Sequence, residues 1–134
     1  MRNYIIDTSA LLRYLINDNA PQAFEIEGLL QQAKAGKITI YLPLIIVFEL
    51  IFALEKFYKL AKGDVASKIN TIVGTSYIEV QHRSILKDMI TLYKNGSMSA
   101  VDCYLIMLAR EKNARLISFD RKLQKRLQET SKKL

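Results

Sequence analysis

The sequence predicts an α/β fold, with a central parallel sheet covered by helices on both faces. Three observations point that way. Short runs rich in β-branched and aromatic residues recur four times along the chain. Each is separated from the next by stretches with helical spacing of apolar residues. Proline, glycine or asparagine then punctuates most of the joins. Strands linked by helical crossovers pair in parallel and are buried on both sides.

Taken in order, "NYIID" at 3–7 is short and isoleucine-rich, as a buried strand should be, and "TSALLRYLIND" follows at helical spacing. Pro21 opens an amphipathic stretch over 21–35, and Gly36 stands where a helix end is expected. "KITIYL" at 37–42 is the second strand, and Pro43 starts a long helix running to about Leu60. Residues 64–73 form another helix ended by Gly74, and "SYIEVQ" at 76–81 is the third strand. A helix over 83–94 stops at Asn95-Gly96, and another covers 99–112. "ARLISF" at 114–119 is the fourth strand, and 120–130 a closing basic helix. No repeat, low-complexity segment or long linker divides residues 1–134, so a single domain is expected.

Half of the 134 residues are apolar and a quarter charged, an ordinary globular composition. The formal charge of +7 favours a polyanionic partner. It is unevenly placed: nine of the 20 basic residues, against three acidic ones, follow from Arg110 onward. One cysteine excludes a disulfide framework and a cysteine-based zinc site. With no secretory leader pattern, a cytoplasmic location is expected. The longest apolar stretch, "IYLPLIIVFELIFAL", is shorter than the roughly 20 residues of a membrane span. Since it also contains Pro43 and Glu49, it is expected to be a buried helix rather than a membrane contact.

Four acids stand out. Asp7 and Asp120 each sit where a strand gives way to a helix, the edge at which open parallel sheets bind ligands. Aspartate is also a preferred N-cap, which explains each of them equally well. Asp102 completes Ser99-Ala-Val-Asp102, an imperfect capping box, beside a nearly unbroken apolar helix. Glu49 is the only charged residue between Lys37 and Glu55. In a buried helix its ionised form would cost several kcal/mol unless paired or metal-bound, the alternative being a protonated Glu. If the four acids meet, a hard divalent cation offsets their repulsion, and oxygen-only ligands suit magnesium or manganese better than zinc.

"IIDTSALL", Glu49, "SAVDCYLIMLA" and "LISFDRKL", in this order and spacing, resemble the acidic quartet of the PIN domain. The chain is most similar to the small VapC-type toxins of toxin–antitoxin modules. The resemblance implies an α/β/α sandwich with four or five parallel strands, and a Mg²⁺- or Mn²⁺-dependent endoribonuclease. It places Asp7, Glu49, Asp102 and Asp120 in the catalytic site, with Asp7 and Asp102 as the principal metal ligands. Thr8, Ser9 and Ser118 match the family's hydroxyl residues and are expected to support metal-bound water or phosphate. It also implies an RNA substrate, a cognate antitoxin and a homodimer. Family members usually end in a fifth strand, whereas "RLQETSKKL" carries no strand pattern.

Arg121, Lys122, Lys125 and Arg126 are candidates to grip the RNA backbone, or form a solvated helix face. Phe52, Phe57 and Tyr58 are candidates to line an antitoxin groove, although a core role suits such aromatics better. The lone His82 argues against paired-histidine acid–base schemes, and Cys103 fits a core position better than a nucleophile. A phosphoaspartate enzyme needs a second aspartate two positions after the first, where Ser9 stands. A receiver domain needs an acidic pair and a late lysine, which do not match. The surviving alternative is a PIN-like module that binds RNA or protein without cleaving.

Overall fold

Parallel pairing organises the first part of the chain. The computed structural model describes residues 2–133, the last four by backbone alone, so the side chains of Lys132 and Lys133 lie outside the described residues. Three strands, β1 (Arg2–Ile5), β2 (Ile38–Leu42) and β3 (Ile78–Val80), form one sheet in the order β1-β2-β3. Both pairings are parallel, with Tyr4 opposite Ile40 and Ile40 opposite Ile78. Helices α1 (Thr8–Ile16) and α2 (Ala20–Lys34) connect the first pair, α3 (Leu44–Lys56) and α4 (Lys62–Val73) the second. Helices α5 (Arg83–Lys94), α6 (Ala100–Glu111) and α7 (Arg121–Lys133) follow. The chain divides into two compact units, Met1–Arg83 and Ser84–Leu134.

In the first unit, α1 packs on α2 and α3, α2 on β2, α3 on α4, and α4 on β3. The buried stripe of α3 is Val47, Leu50, Ile51 and Leu54, the i, i+3, i+4, i+7 spacing of a one-faced helix. Val65, Ala66, Ile69, Ile72 and Val73 do the same for α4. Burying each large aliphatic side chain contributes about 1.5–3 kcal/mol. Local chemistry sets the ends. Asn17 closes α1 in the left-handed region, and Asn19 caps α2 beside Pro21. Gly36, at φ +75°, makes the turn into β2 that a side chain would strain.

The α3 stretch does not match the expectation of a helix buried all round. Ile45, Glu49 and Phe52 share its other face and are exposed. Thirteen residues of mostly apolar type exceed what one packed face can cover, so the excess faces water. Phe57 is exposed as well and meets Phe52 edge-on, at a centroid distance of 6.4 Å. The core role expected for these two aromatics is therefore corrected; Tyr58 is half-buried.

In the second unit Ile85, Ile106, Met107 and Leu123 form the core, with Leu92, Met98, Leu116 and Leu127 packed against it. Cys103 is fully buried, as expected. The strand expected at 114–119 is unpaired among the described residues. Its alternation is present: Leu116 and Ser118 are half-buried, while Ile117 and Phe119 are exposed. What it lacks is a ladder. The Gln124 side chain donates to the Leu116 and Ser118 carbonyls, at 2.9 and 3.3 Å, on the acceptors a neighbouring strand would use. The α/β class with a parallel sheet stands, with three strands among the described residues where four or five were expected.

Candidate active site

In the first unit the site is built at the carboxyl ends of the strands. Ile6 N–H donates to the Tyr41 carbonyl at 3.0 Å, carrying the β1 pairing to the residue before Asp7. Asp7 then caps α1 from an extended backbone. Its Oδ1 accepts from Ala10 N–H at 3.0 Å and from the Ser9 hydroxyl at 2.8 Å. The Ala10 amide first, and the Ser9 hydroxyl second, hold this carboxyl below the usual aspartate value. Asp7 is therefore ionised at neutral pH.

Thr8, next along, is buried, and its hydroxyl donates to Glu49 Oε1 at 2.5 Å. That contact joins residues 41 positions apart and aims Glu49 toward the start of α1. The burial expected for Glu49 is not found, since its side chain reaches water from the open face of α3. Helix α3 starts at Pro43 with no side-chain cap of its own. Gln81, just past β3, supplies one: its Oε1 accepts from Leu44 N–H at 2.9 Å. Sequence reasoning did not single out Gln81, because the contact spans 37 positions with no local pattern.

In the second unit Asp102 and Asp120 border one cavity of about 510 Å³, together with Lys122, Lys125, Arg126 and Glu129. Ser99 caps α6 by accepting from Asp102 N–H at 3.2 Å, the serine half of the capping box. The half-buried Asp102 carboxylate has no protein hydrogen-bond partner among the described residues. Asp120 Oδ1 accepts from Leu123 N–H at 3.1 Å and so caps α7. Its own N–H donates to the Ser118 hydroxyl at 3.0 Å. Thr8, Ser9 and Ser118 thus all engage the acids directly: two bond carboxylates and the third an acid's backbone.

Of the four basic candidates, Lys122, Lys125 and Arg126 border the Asp102–Asp120 cavity, and Arg121 does not. Arg126 makes an exposed ion pair with Glu129 at 3.7 Å, a contact worth little in water. His82 is an exposed turn residue at φ 56°.

The donors are carboxylates and hydroxyls, which suit a hard cation and not zinc. Magnesium commonly binds through one or two carboxylates, completing its shell with water and phosphate. The Asp102–Asp120 pair fits that habit. Within each unit, among the described residues, no three of His, Cys, Asp and Glu gather closely enough to cage a metal. Asp7 and Asp102, expected as principal ligands, belong one to each unit. Among the described residues no helix is long and apolar enough to cross a membrane.

The chain is similar to a VapC ribonuclease of Aquifex aeolicus (strain VF5), with 23% identity over 122 residues and 90% of each chain covered. It also matches the family described as PIN domain over residues 4–129. That span runs from β1 into α7 and contains Asp7, Glu49, Asp102 and Asp120 in order. With strand-end acids, a parallel sheet and a match over nearly its whole length, the chain belongs to the PIN domain family.

Proposed function

We propose that this protein is a Mg²⁺- or Mn²⁺-dependent endoribonuclease of the VapC type, the toxin of a toxin–antitoxin pair. The observation that carries the reading is the cavity in which Asp102 and Asp120 stand with Lys122, Lys125 and Arg126. Acids that can hold a hard cation and bases that can hold a phosphate border the same space. The similarity to a VapC ribonuclease supports the same chemistry.

A divalent ion, when bound, supplies Lewis acidity and lowers the pKa of a coordinated water. Asp102 and Asp120 would hold it, their helix starts fixing both residues before substrate arrives. Lys122 and Lys125 take the phosphate oxygens and offset the charge that grows in the transition state. Asp7, held ionised and named by the resemblance as a principal metal ligand with Asp102, and Glu49, aimed by Thr8, are the two further acids on which the resemblance places activity. RNA is the substrate and a cognate antitoxin the inhibitor, for which the exposed Phe52 and Phe57 offer apolar surface. A homodimer follows from the resemblance alone.

The test incubates purified protein with labelled single-stranded RNA and Mg²⁺ or Mn²⁺, beside EDTA and the Asp7→Asn, Asp102→Asn and Asp120→Asn variants. Asparagine caps helices as well as aspartate, so these variants keep their helix starts. Cleavage should vanish in EDTA and fall about 100-fold or more in each variant. Cleavage that persists in EDTA sinks the metal reading. RNA binding without any cleavage by the native protein selects the non-cleaving module instead.

A further inference from the structure

A second cavity of about 410 Å³ opens in the Ser84–Leu134 unit beside the acidic one. The two share Ser97, Met98, Arg126 and Glu129 as walls, so they are compartments of one groove. Their chemistry differs. Leu92, Met98 and Met107 line the second compartment, making its surface mostly apolar. Its volume falls within the range of about 300–1,000 Å³ that suits small planar ligands. Polar groups come from two helices: Asp88 from α5 and Arg110 from the last turn of α6. Neither side chain has a hydrogen-bond or ion-pair partner among the described residues.

We infer that this compartment takes the base of a nucleotide flanking the scissile phosphate, and that it selects guanine. The inference rests on the ribonuclease reading of the neighbouring cavity. The wall shared at Met98 sets this compartment beside the cavity whose Lys122 and Lys125 would hold the phosphate, so a base adjoining that phosphate is the group placed to enter it. Single-stranded bases are unstacked and need an apolar surface, and thioethers make favourable contacts with aromatic rings. Guanine alone among the four bases presents two adjacent N–H donors on one edge and two acceptors, O6 and N7, on another. A carboxylate accepts from the first edge, and an arginine donates bidentately to the second. Asp88 and Arg110 are that pair of groups. Adenine would turn an amino donor toward the arginine, and neither pyrimidine presents both a two-donor edge and a two-acceptor edge.

Two measurements on the full chain test this. In the first, binding of GMP and of IMP, which lacks the 2-amino donor, is followed by NMR in EDTA. GMP should bind about tenfold more tightly, with shifts at Thr91, Asn95 and Arg110. In the second, cut sites in a random single-stranded RNA pool are sequenced. A guanine should recur at one fixed position beside the cut. Asp88→Asn and Arg110→Gln should flatten that preference, as should Thr91→Trp, which fills the compartment from its rim. All three positions are exposed, so the core stays intact. Equal binding of GMP and IMP, cut sites with no base preference, or a preference unmoved by all three variants overturns the pocket. GMP selectivity without cleavage keeps the pocket and sinks the ribonuclease reading. Cleavage without selectivity does the reverse.

Discussion

Thr8 carries two jobs that a sequence cannot separate. It is the first residue of α1, where a small hydroxyl residue is unremarkable, and it is also the donor that fixes Glu49 at 2.5 Å. Asp7 is double in the same sense, being both the helix cap and an acid of the proposed site. Local spacing revealed the cap and left the chemistry open, because capping and metal binding ask for the same carboxylate. Thr8→Val isolates the second job of Thr8. Valine keeps the shape but cannot donate, and Glu49 is exposed, so water replaces the lost contact. The stability loss should stay near 1 kcal/mol by urea denaturation. Single-turnover RNA cleavage should fall roughly tenfold, since Glu49 then loses its fixed rotamer. Thr8→Ser should restore most of the activity. Full activity in Thr8→Val would remove Glu49 positioning from the account.

Elements were legible where periodicity and punctuation agreed. Pro21, Gly36, Gly74 and Asn95-Gly96 each mark a boundary within a few residues of the observed one. The two failures have one cause, which is that pattern shows what a segment could bury and not what covers it. Residues 114–119 alternate like a strand, yet Gln124 holds two of their carbonyls. The apolar α3 buries one face and leaves Ile45 and Phe52 in water. A third element-scale feature left no sequence signal at all. The Arg83 guanidinium donates to the carbonyls of Val73, Thr75 and Ile78, tying the end of α4 to the start of β3. Arg83→Ala should cost about 2–4 kcal/mol in urea denaturation, because three part-buried carbonyls lose their charged donor together. Arg83→Lys should recover little, as an ammonium lacks the planar fork that reaches several acceptors. A loss below 1 kcal/mol would show that water takes over these carbonyls.

At the scale of the whole molecule, charge was the most readable property and also the least specific. A surplus of +7 favours a polyanionic partner, and nothing in a count says where one would bind. Placement offers a candidate. Lys122, Lys125 and Arg126 lie on the first turns of α7 and border the cavity of Asp102 and Asp120, whereas Arg121 does not line it. If the three cations bind consecutive phosphates, their effect is counterion release, and it scales with the number of phosphates neutralised. Each phosphate contact on a single strand contributes about 0.7 to the slope of log K against log salt. Removing all three by Lys122→Gln, Lys125→Gln and Arg126→Gln should make that slope shallower by about 2, measured by fluorescence anisotropy on single-stranded RNA. Arg121→Gln should leave it nearly unchanged, because a uniform loss of charge acts only over the Debye length while a lost phosphate contact is stoichiometric. Equal effects from Arg121→Gln and from each of the other three would mean that the basic helix attracts RNA as a diffuse field. RNA would then not be seated across the acids.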